Sequence, residues 1–412
     1  MTEGARLGLF QGFGIEIEYM IVDAASLDVA SVADELITRA AGSLSNEIER
    51  GDACWSNELV AHVIEFKSNG PLPSLDGAAA LFARQVHDAN ALLARDGRCL
   101  LPGGMHPWMD PEREMRLWPH GDDRIYRAFD RIFDCRGHGW SNLQSVHINL
   151  PFDGDEEFAR LHGAIRALLP VLPALAASSP IIDGRLTGLM DSRLAVYRRN
   201  CARVPSITGR VIPEAVFSRR DYEANILEPM WRDIAPLDPD AVLREEWLNA
   251  RGAIARFDRM AIEIRVLDVQ ENPRADLAVV ELVVATVRAL TQGRWCDPRA
   301  LRVLAVAPLA ELFDACVVDA ERTPLGWVRY LDLFDLGSGT VRTAGELWAA
   351  VAQRLAGEGC LSASSQQVLD TVFSAGCLAR RIAAACADGS RARMHAAYQR
   401  LAHCLASGEA FV

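Results

Sequence analysis

The sequence predicts an α+β fold in which helices pack outside a single β-sheet, with a helical region at the carboxyl end. Strict alternation of apolar and polar side chains is typical of strands with one buried face. It occurs in four segments: Gly14–Val22, His62–Lys67, Ser145–Leu150 and Arg259–Leu267. From Ala275 onwards the periodicity is helical and rich in alanine and leucine, which predicts four to five helices without obvious chemistry.

Composition narrows the class of protein. The chain has 412 residues, of which 50% are hydrophobic, enough for one large core or two moderate ones. Its net charge of −12, without a basic run, argues against a nucleic-acid partner. The ten cysteines form no CxxC pair, which is typical of a reducing compartment. The first 14 residues lack the apolar core of a signal peptide, and no apolar run is long enough to cross a membrane. We therefore expect a cytoplasmic protein.

The first strand places two carboxylates side by side. Glu16 and Glu18 share one face of an otherwise apolar segment, roughly 6.5–7 Å apart by strand rise. Two adjacent carboxylates repel each other unless a positive charge lies between them, and a hard divalent cation supplies one. The alternative interpretation is a strand whose outer face is simply solvated.

The second strand segment carries Glu65, with Glu58 seven residues before it. Residues an odd number apart face opposite sides of one unbroken strand. If both glutamates serve one site, Glu58 must therefore lie before a bend or a bulge.

The third and fourth strands complete a polar set. Ser145, His147 and Asn149 share one face of the third strand, while Glu263 and Arg265 share one face of the fourth. A single strand histidine is more often a hydrogen-bonded structural residue than a ligand. Two polar neighbours on the same face make that structural role less favoured for His147.

The remaining elements follow from periodicity and from Pro and Gly punctuation. Predicted helices cover Ser31–Ala41, Leu75–Arg95, Asp122–Phe133 and Asp155–Ser178, and a further helix carries Arg193, Tyr197, Arg198 and Arg199. A strand and turn cover Arg98–Pro107, and loops cover Asp110–His120, Ser179–Gly188 and Arg203–Pro213. The arginine-rich helix is a candidate for anion contacts, although a solvated basic face explains each arginine equally well.

If the four strands share one sheet, five carboxylates, an imidazole and an arginine converge. Carboxylate oxygens select Mg²⁺ or Mn²⁺, and five carboxylates require more than one ion. Several divalent ions beside a fixed arginine suit phosphoryl transfer from ATP. The sequence has no Walker A motif and no Rossmann fingerprint, so the nucleotide would be held through metals on the sheet.

Four motifs, in order, resemble the glutamate–cysteine ligase family, in particular its second type, which includes bacterial carboxylate–amine ligases. They are GIEIE, NELVAHVIEFKS, SVHINLP and IEIRVLDVQ. The resemblance covers roughly the first 290 residues. It implies a catalytic domain at 1–290, with a helical region at 291–412 packed on it. It also implies a curved, mostly antiparallel sheet, similar to that of glutamine synthetase, whose concave face binds the metals.

The resemblance also implies roles for individual residues. The implied metal ligands are Glu16, Glu18, Glu58, Glu65, His147 and Glu263. Arg265 would lie at the transferred phosphoryl group, with Asn149 and Arg193 as further nucleotide or substrate contacts. Ser145 stands where many bacterial carboxylate–amine ligases carry a second histidine, so the sub-branch and the amine are left open.

The resulting hypothesis is ATP-dependent ligation of the γ-carboxylate of glutamate to the amino group of cysteine through an acyl phosphate. Mg²⁺, with Mn²⁺ as a substitute, would be the cofactor, and a homodimer is left open. Two alternatives remain: a ligase of the same fold for another acid or amine, and a non-catalytic protein that binds nucleotide or metal. Calorimetry showing ATP binding without ADP formation would favour the non-catalytic alternative.

Overall fold

The computed structural model describes residues 6–121, 123–336, 339 and 341–412. Its strands are β1 (Gly14–Asp23), β2 (Glu47–Arg50), β3 (Ala53–Asn57), β4 (Val63–Ser68), β5 (Arg98–Leu101), β6 (Ser145–Pro151), β7 (Ile181–Ile182), β8 (Arg185–Leu186), β9 (Ala253–Arg256) and β10 (Ala261–Asp268). Eight strands form one sheet in the order β2-β3-β4-β1-β6-β10-β9, and β5 pairs with the second half of β1. All of these pairings are antiparallel.

Helices account for most of the remaining regular structure. Before the end of the sheet they are α1 (Ala33–Ala41), α2 (Ala78–Leu93), α3 (Pro111–Glu114), α4 (Arg124–Phe133), α5 (His138–Ser141), α6 (Gly154–Leu168), α7 (Leu172–Ala176), α8 (Ser192–Tyr197), α9 (Arg219–Tyr222) and α10 (Glu228–Ile234). After it they are α11 (Pro273–Thr291), α12 (Pro298–Arg302), α13 (Val306–Asp319), α14 (Val328–Leu331), α15 (Ala344–Gly357), α16 (Ala363–Ala375), α17 (Leu378–Ala385) and α18 (Arg391–Ser407).

The two faces of β1 have different partners. Ile15, Ile17 and Tyr19 are fully buried in the main core, which α2, α6 and α11 also line. On the opposite face, Met20 and Val22 lie in a second apolar core that includes side chains of α17 and α18. The polar half of that face, which carries Glu16 and Glu18, lies beyond this second core.

The expected α+β class and the antiparallel sheet are confirmed. The four strands predicted from alternation correspond to β1, β4, β6 and β10, and the strand predicted at the start of Arg98–Pro107 corresponds to β5. The strands β2, β3 and β9 were not predicted, because each has only four or five residues, too few for an alternation to stand out. The prediction of four to five carboxyl-terminal helices was too low: from α11 onwards the described residues form five helices of 13 residues or more and three shorter ones.

Local differences from the prediction have simple causes. The long helix predicted over Asp155–Ser178 is divided into α6, a 3₁₀ turn over Leu169–Val171 and α7, because the prolines 170 and 173 cannot continue a helical ladder. The predicted loop at 179–188 contains the β7–β8 hairpin, and the loop at 110–120 contains α3. Asp122, the first residue of one predicted helix, lies outside the described residues, as do the first five residues of the chain.

The predicted division between residues 290 and 291 falls at the end of α11. Leu290 and Leu347, from either side of it, belong to the same hydrophobic core. The division into two domains stays a prediction.

The stretch Gly154–Ala176 is the one described helical segment that is long and apolar enough to cross a membrane. In this fold 94% of its apolar window is buried inside the protein, as expected of a core helix.

The buried His106 predicts acid sensitivity. Its Nε2 lies 2.7 Å from the carbonyl oxygen of Leu27, and its Nδ1 accepts a hydrogen bond from the amide of Trp108. Burial lowers the pKa of His106 from 6.5 to about 4, so the stability gained from its neutral form is lost as the pH falls from 6.5 towards 4. Urea unfolding measures the free energy of unfolding at each pH. Between pH 7 and pH 5 this free energy should fall by about 2 kcal/mol more in the wild-type protein than in His106→Gln. Equal losses would contradict this prediction.

Candidate active site

The polar face of the sheet opens into one cavity of about 750 Å³, here called the carboxylate cavity. Strand register explains the convergence: Glu16 lies opposite both Lys67 and His147, and Glu18 lies opposite Glu65. All the predicted metal ligands, together with Asn149 and Arg265, line it: Glu16, Glu18, Glu58, Glu65, His147 and Glu263. The structure therefore brings together every predicted site residue except Arg193 in this cavity, while their roles stay predictions.

His147 lies at the centre of the cluster. Its Nδ1 is 3.0 Å from Glu16 Oε2 and 3.5 Å from Glu263 Oε1. Asn149 donates to the other oxygen of Glu16, at 3.0 Å. These contacts link β1, β6 and β10 across the centre of the sheet.

Ser145 occupies the opposite side of the His147 ring. Its hydroxyl lies 2.9 Å from His147 Nε2 and 3.0 Å from Glu18 Oε2, and its backbone amide also donates to Glu18. A serine thus orients both a glutamate and the histidine.

Glu58 reaches the cavity from a turn. It follows β3 directly, and the chain reverses before β4, so it is not on the same strand as Glu65. The bend required by the odd spacing is therefore the connection of a β-hairpin. Glu65 itself accepts a hydrogen bond of 2.5 Å from Ser56 on β3.

The carboxylates are crowded enough to perturb their protonation. Burial, followed by the charge of Glu16, raises the pKa of Glu65 to about 8. Burial and the charges of Glu65, Glu18 and Glu16 raise the pKa of Glu58 well above its usual value. Burial also opposes ionisation of Glu16, but the hydrogen bond and charge of His147 lower its pKa to about 2. The protein groups alone thus make both Glu58 and Glu65 harder to ionise than a solvated glutamate, and a bound cation would favour their ionised forms.

The donor set fits divalent ions. Ligand atoms of Glu16, His147 and Glu263 all lie within 4.8 Å of one another, and so do those of Glu18, Glu65 and His147. Oxygen donors with one imidazole suit Mg²⁺ or Mn²⁺. Because His147 belongs to both groups, it would lie between two neighbouring cation sites.

Mn²⁺ binding tests this donor set. Glu18→Gln or Glu65→Gln removes one anionic ligand from a three-residue group, so Mn²⁺ should bind at least about tenfold more weakly. Calorimetric titration of the free protein measures the affinity. Glu47→Gln is the matched control, because Glu47 lines the same cavity and contacts Lys67 but belongs to neither group. Equal weakening in all three variants would contradict the assignment.

Arg265 lies at an irregularity of β10. Ile264 pairs with Ile148 and Leu267 with Val146, so Arg265 and Val266 together oppose His147 in a β-bulge. The Nε of Arg265 lies 2.8 Å from Glu263 Oε1, and one quarter of the side chain remains exposed to the cavity. The guanidinium is therefore held by a buried carboxylate and is still accessible to a ligand.

Arg193 lies behind this site. It is 1% exposed, forms an ion pair with Asp268, and donates to the carbonyl oxygen of Arg265 at 3.3 and 3.4 Å. Asp268 also accepts hydrogen bonds from the Ser178 amide and the Ser179 hydroxyl. Arg193 thus contacts the backbone of the bulge rather than the carboxylate cavity.

The sequence reasoning missed Asp268, Lys67 and Arg256. Asp268 reaches the polar side because the bulge reverses the alternation of β10, which a strict pattern cannot reveal. Lys67 could have been found, since it is two residues from Glu65 and on the same face. Arg256, 3.8 Å from Glu263, lies on β9, a strand that was not predicted.

A second cavity of about 430 Å³ adjoins the first. Both cavities are lined by Glu18, Glu58, His147 and Arg265. Arg193 lines only the second cavity, which we call the aromatic cavity because Tyr126, Phe129, Trp140, Tyr197 and Trp247 form much of its wall. The site therefore has two adjoining chambers that meet at the carboxylates and Arg265.

The sheet that carries acidic residues, a histidine and an arginine on one face occurs here in a chain that matches a known ligase family. The model of glutamate–cysteine ligase family 2 matches residues 12–324, and the chain belongs to this family of ATP-dependent carbon–nitrogen ligases. An uncharacterized protein of Archaeoglobus fulgidus is 37% identical over 276 residues, 67% of this chain and 74% of that protein. A protein of Bradyrhizobium sp. (strain BTAi1) named "Putative glutamate–cysteine ligase 2" is 30% identical over 292 residues, 68% of this chain and 62% of that protein.

Solved structures share the fold at low sequence identity. Glutamate–cysteine ligase of Francisella tularensis, in complex with AMP, matches with a TM-score of 0.60 and 11% identity over 96% of this chain and 89% of that one. A bifunctional glutathione synthetase of Pasteurella multocida matches with a TM-score of 0.57 and 13% identity over 97% of this chain and 52% of that one. This chain thus spans about half of the Pasteurella protein.

Proposed function

We propose that this protein joins the γ-carboxylate of glutamate to an amino group, for which the family name offers cysteine as the first acceptor to test. The observation that carries the proposal is the convergence of Glu16, Glu18, Glu65, His147 and Glu263 beside Arg265 in one cavity. The named relatives and the AMP-bound ligase of Francisella support ATP and glutamate as substrates.

The reaction has two displacements. An oxygen of the γ-carboxylate attacks the γ-phosphorus of ATP, the bond to the bridging oxygen breaks, and ADP leaves. The amine nitrogen then attacks the carbonyl carbon of the acyl phosphate, and inorganic phosphate leaves with the electron pair of the C–O bond. The protein positions the reactants and neutralises developing charge in both displacements.

The side chains divide this work. Arg265, oriented by Glu263, would contact the transferred phosphoryl oxygens as their negative charge increases. The two groups that share His147 would hold Mg²⁺ or Mn²⁺. When bound, these ions supply charge neutralisation at the phosphate oxygens of ATP. Lys67 and Arg256 line the same cavity and add positive charge for the nucleotide.

ADP release tests the proposal directly. The purified protein is supplied with ATP, Mg²⁺ and glutamate, and ADP is measured with cysteine, with other amines and with hydroxylamine. Hydroxylamine traps the acyl phosphate as a γ-glutamyl hydroxamate whatever the natural acceptor is. Release that requires glutamate, with hydroxamate formation, is the expected result. ATP binding without ADP under any acid would instead support a non-catalytic binding protein.

A second candidate differs only in the amine. The metal ligands do not contact the acceptor, so a ligase for another amine would have the same carboxylate cavity. The aromatic wall of the second cavity is the specific observation that favours this candidate.

A further inference from the structure

The aromatic cavity is lined by rings that keep part of their apolar surface uncovered. Phe129, Trp140 and Trp247 are each only half-buried, although Phe129 contacts both tryptophans. The ring centroid of Phe129 lies 5.0 Å from that of Trp140 and 6.0 Å from that of Trp247. Ile125 and Leu143 extend the same wall. An apolar ligand that covers such surface inside a concave site gains binding free energy, because apolar area is removed from water.

The end of this cavity nearest the sheet is charged. Glu18, Glu58, His147 and Arg265 line it, and all four also line the carboxylate cavity. The carboxyl oxygens of Glu18 and Glu58 at this end can accept hydrogen bonds from an amino group beside the cation of Arg265. An occupant with an amino group at one end and an apolar body at the other therefore matches the cavity along its length.

Two tyrosines of the cavity wall differ in their hydrogen bonding. The hydroxyl of Tyr126 accepts a hydrogen bond of 2.9 Å from the Asn57 side chain. The hydroxyl of Tyr197 is buried without a hydrogen-bond partner among the described residues. An unpartnered phenol in the wall of a cavity is available to a ligand.

We propose that the aromatic cavity binds the acceptor amine, and that this acceptor carries an aromatic ring or a comparably large apolar group. The inference rests on the proposed ligase function and replaces cysteine as the preferred acceptor. Cysteine has a small side chain that would leave the rings of Phe129 and Trp247 uncovered. In the reaction, the acceptor first loses a proton to water and becomes a neutral amine, the C–N bond forms as the C–O bond to phosphate breaks, and the nitrogen then releases one further proton to water.

Acceptor competition in the wild-type protein is the first test. With ATP, Mg²⁺ and glutamate, kcat/KM is compared for phenethylamine, tyramine and phenylalanine against cysteine and ethylamine. We expect at least one ring-bearing amine to exceed cysteine by at least tenfold. A preference for cysteine, or equal values for all amines, would overturn the inference, while hydroxamate formation would still uphold the ligase function.

Phe129→Leu locates the preference in the cavity wall. This variant should reduce kcat/KM for the ring-bearing amine at least tenfold more than it reduces hydroxamate formation. Phe133→Leu is the matched control: Phe133 stacks on Trp140 at 5.5 Å but does not line the cavity, so all rates should stay unchanged. Equal effects of both variants would indicate general loosening of the aromatic cluster and contradict the inference.

Calorimetry separates failure of this inference from failure of the proposed function. Phenethylamine is titrated into the wild-type protein and into Phe129→Leu without ATP. Tighter binding to the wild type supports the inference even if no acid yields ADP. Absence of binding to the wild type, with Mg²⁺ and glutamate present, overturns it whether or not the protein is a ligase.

Discussion

Arg265→Ala should lower the rate of ADP release by about 10³-fold, the effect expected when an arginine that stabilises phosphoryl transfer is lost. The reason is geometric: Glu263 holds the Arg265 guanidinium from one side, and the exposed quarter of the side chain faces the cavity. Arg265→Lys should recover only part of the rate, because an ammonium group cannot form the planar, two-pronged contact of a guanidinium. Steady-state ADP release with saturating glutamate and hydroxylamine measures both variants.

Arg259→Ala is the control for this prediction. Arg259 lines the same carboxylate cavity, but 61% of its side chain is exposed, so its charge is largely screened by water. Its loss should change the rate by about twofold at most, as for other exposed surface groups. If Arg265→Ala retained full ATP turnover, the role assigned to this arginine would be wrong.

Asp268→Ala should lower the free energy of unfolding by about 3–5 kcal/mol, because it removes the carboxylate that forms the buried ion pair with Arg193. Both side chains of the pair are at least 98% buried. Urea unfolding followed by circular dichroism measures the loss. Activity should fall as well, since Arg193 donates to the carbonyl of Arg265 and thereby fixes the bulge.

Two comparisons separate this buried pair from ordinary ion pairs. Asp314→Ala breaks the exposed ion pair with Arg198 and should lower the free energy of unfolding by less than about 1 kcal/mol. The double variant Arg193→Met, Asp268→Leu removes both charges and should be more stable than Asp268→Ala alone. An Asp268→Ala protein as stable as Asp314→Ala would show that Arg193 finds another partner or water.

The sequence could predict most of the carboxylate cavity because regular strands convert alternation directly into a shared face. Glu16, Glu18 and His147 illustrate this, since their strands pair without interruption. Prediction failed where a residue reaches the site by another route. Asp268 changes face through a bulge and Arg256 lies on a four-residue strand, whereas the odd spacing of Glu58 already required the bend that its hairpin turn supplies.

The aromatic cavity was beyond prediction for a different reason. Tyr126 and Phe129 belong to α4, Trp140 to α5, and Trp247 to a 3₁₀ turn more than a hundred residues later. No local pattern links these positions. They meet only through tertiary packing, so the wall that we propose to select the amine is invisible to motif and periodicity.

The change of environment along β1 sets a limit on how far the carboxyl-terminal helices can be altered. The same strand face is accessible to water at Glu18 and buried at Met20, and apolar side chains of α17 and α18 cover the buried half. These helices thus exclude water from the part of β1 that adjoins the active site, even though they contribute no predicted site residue. Shortening the chain before α17 would remove this apolar cover. The part of the strand beside Glu18 would then be exposed to water, as an apolar strip next to the carboxylates that promotes association.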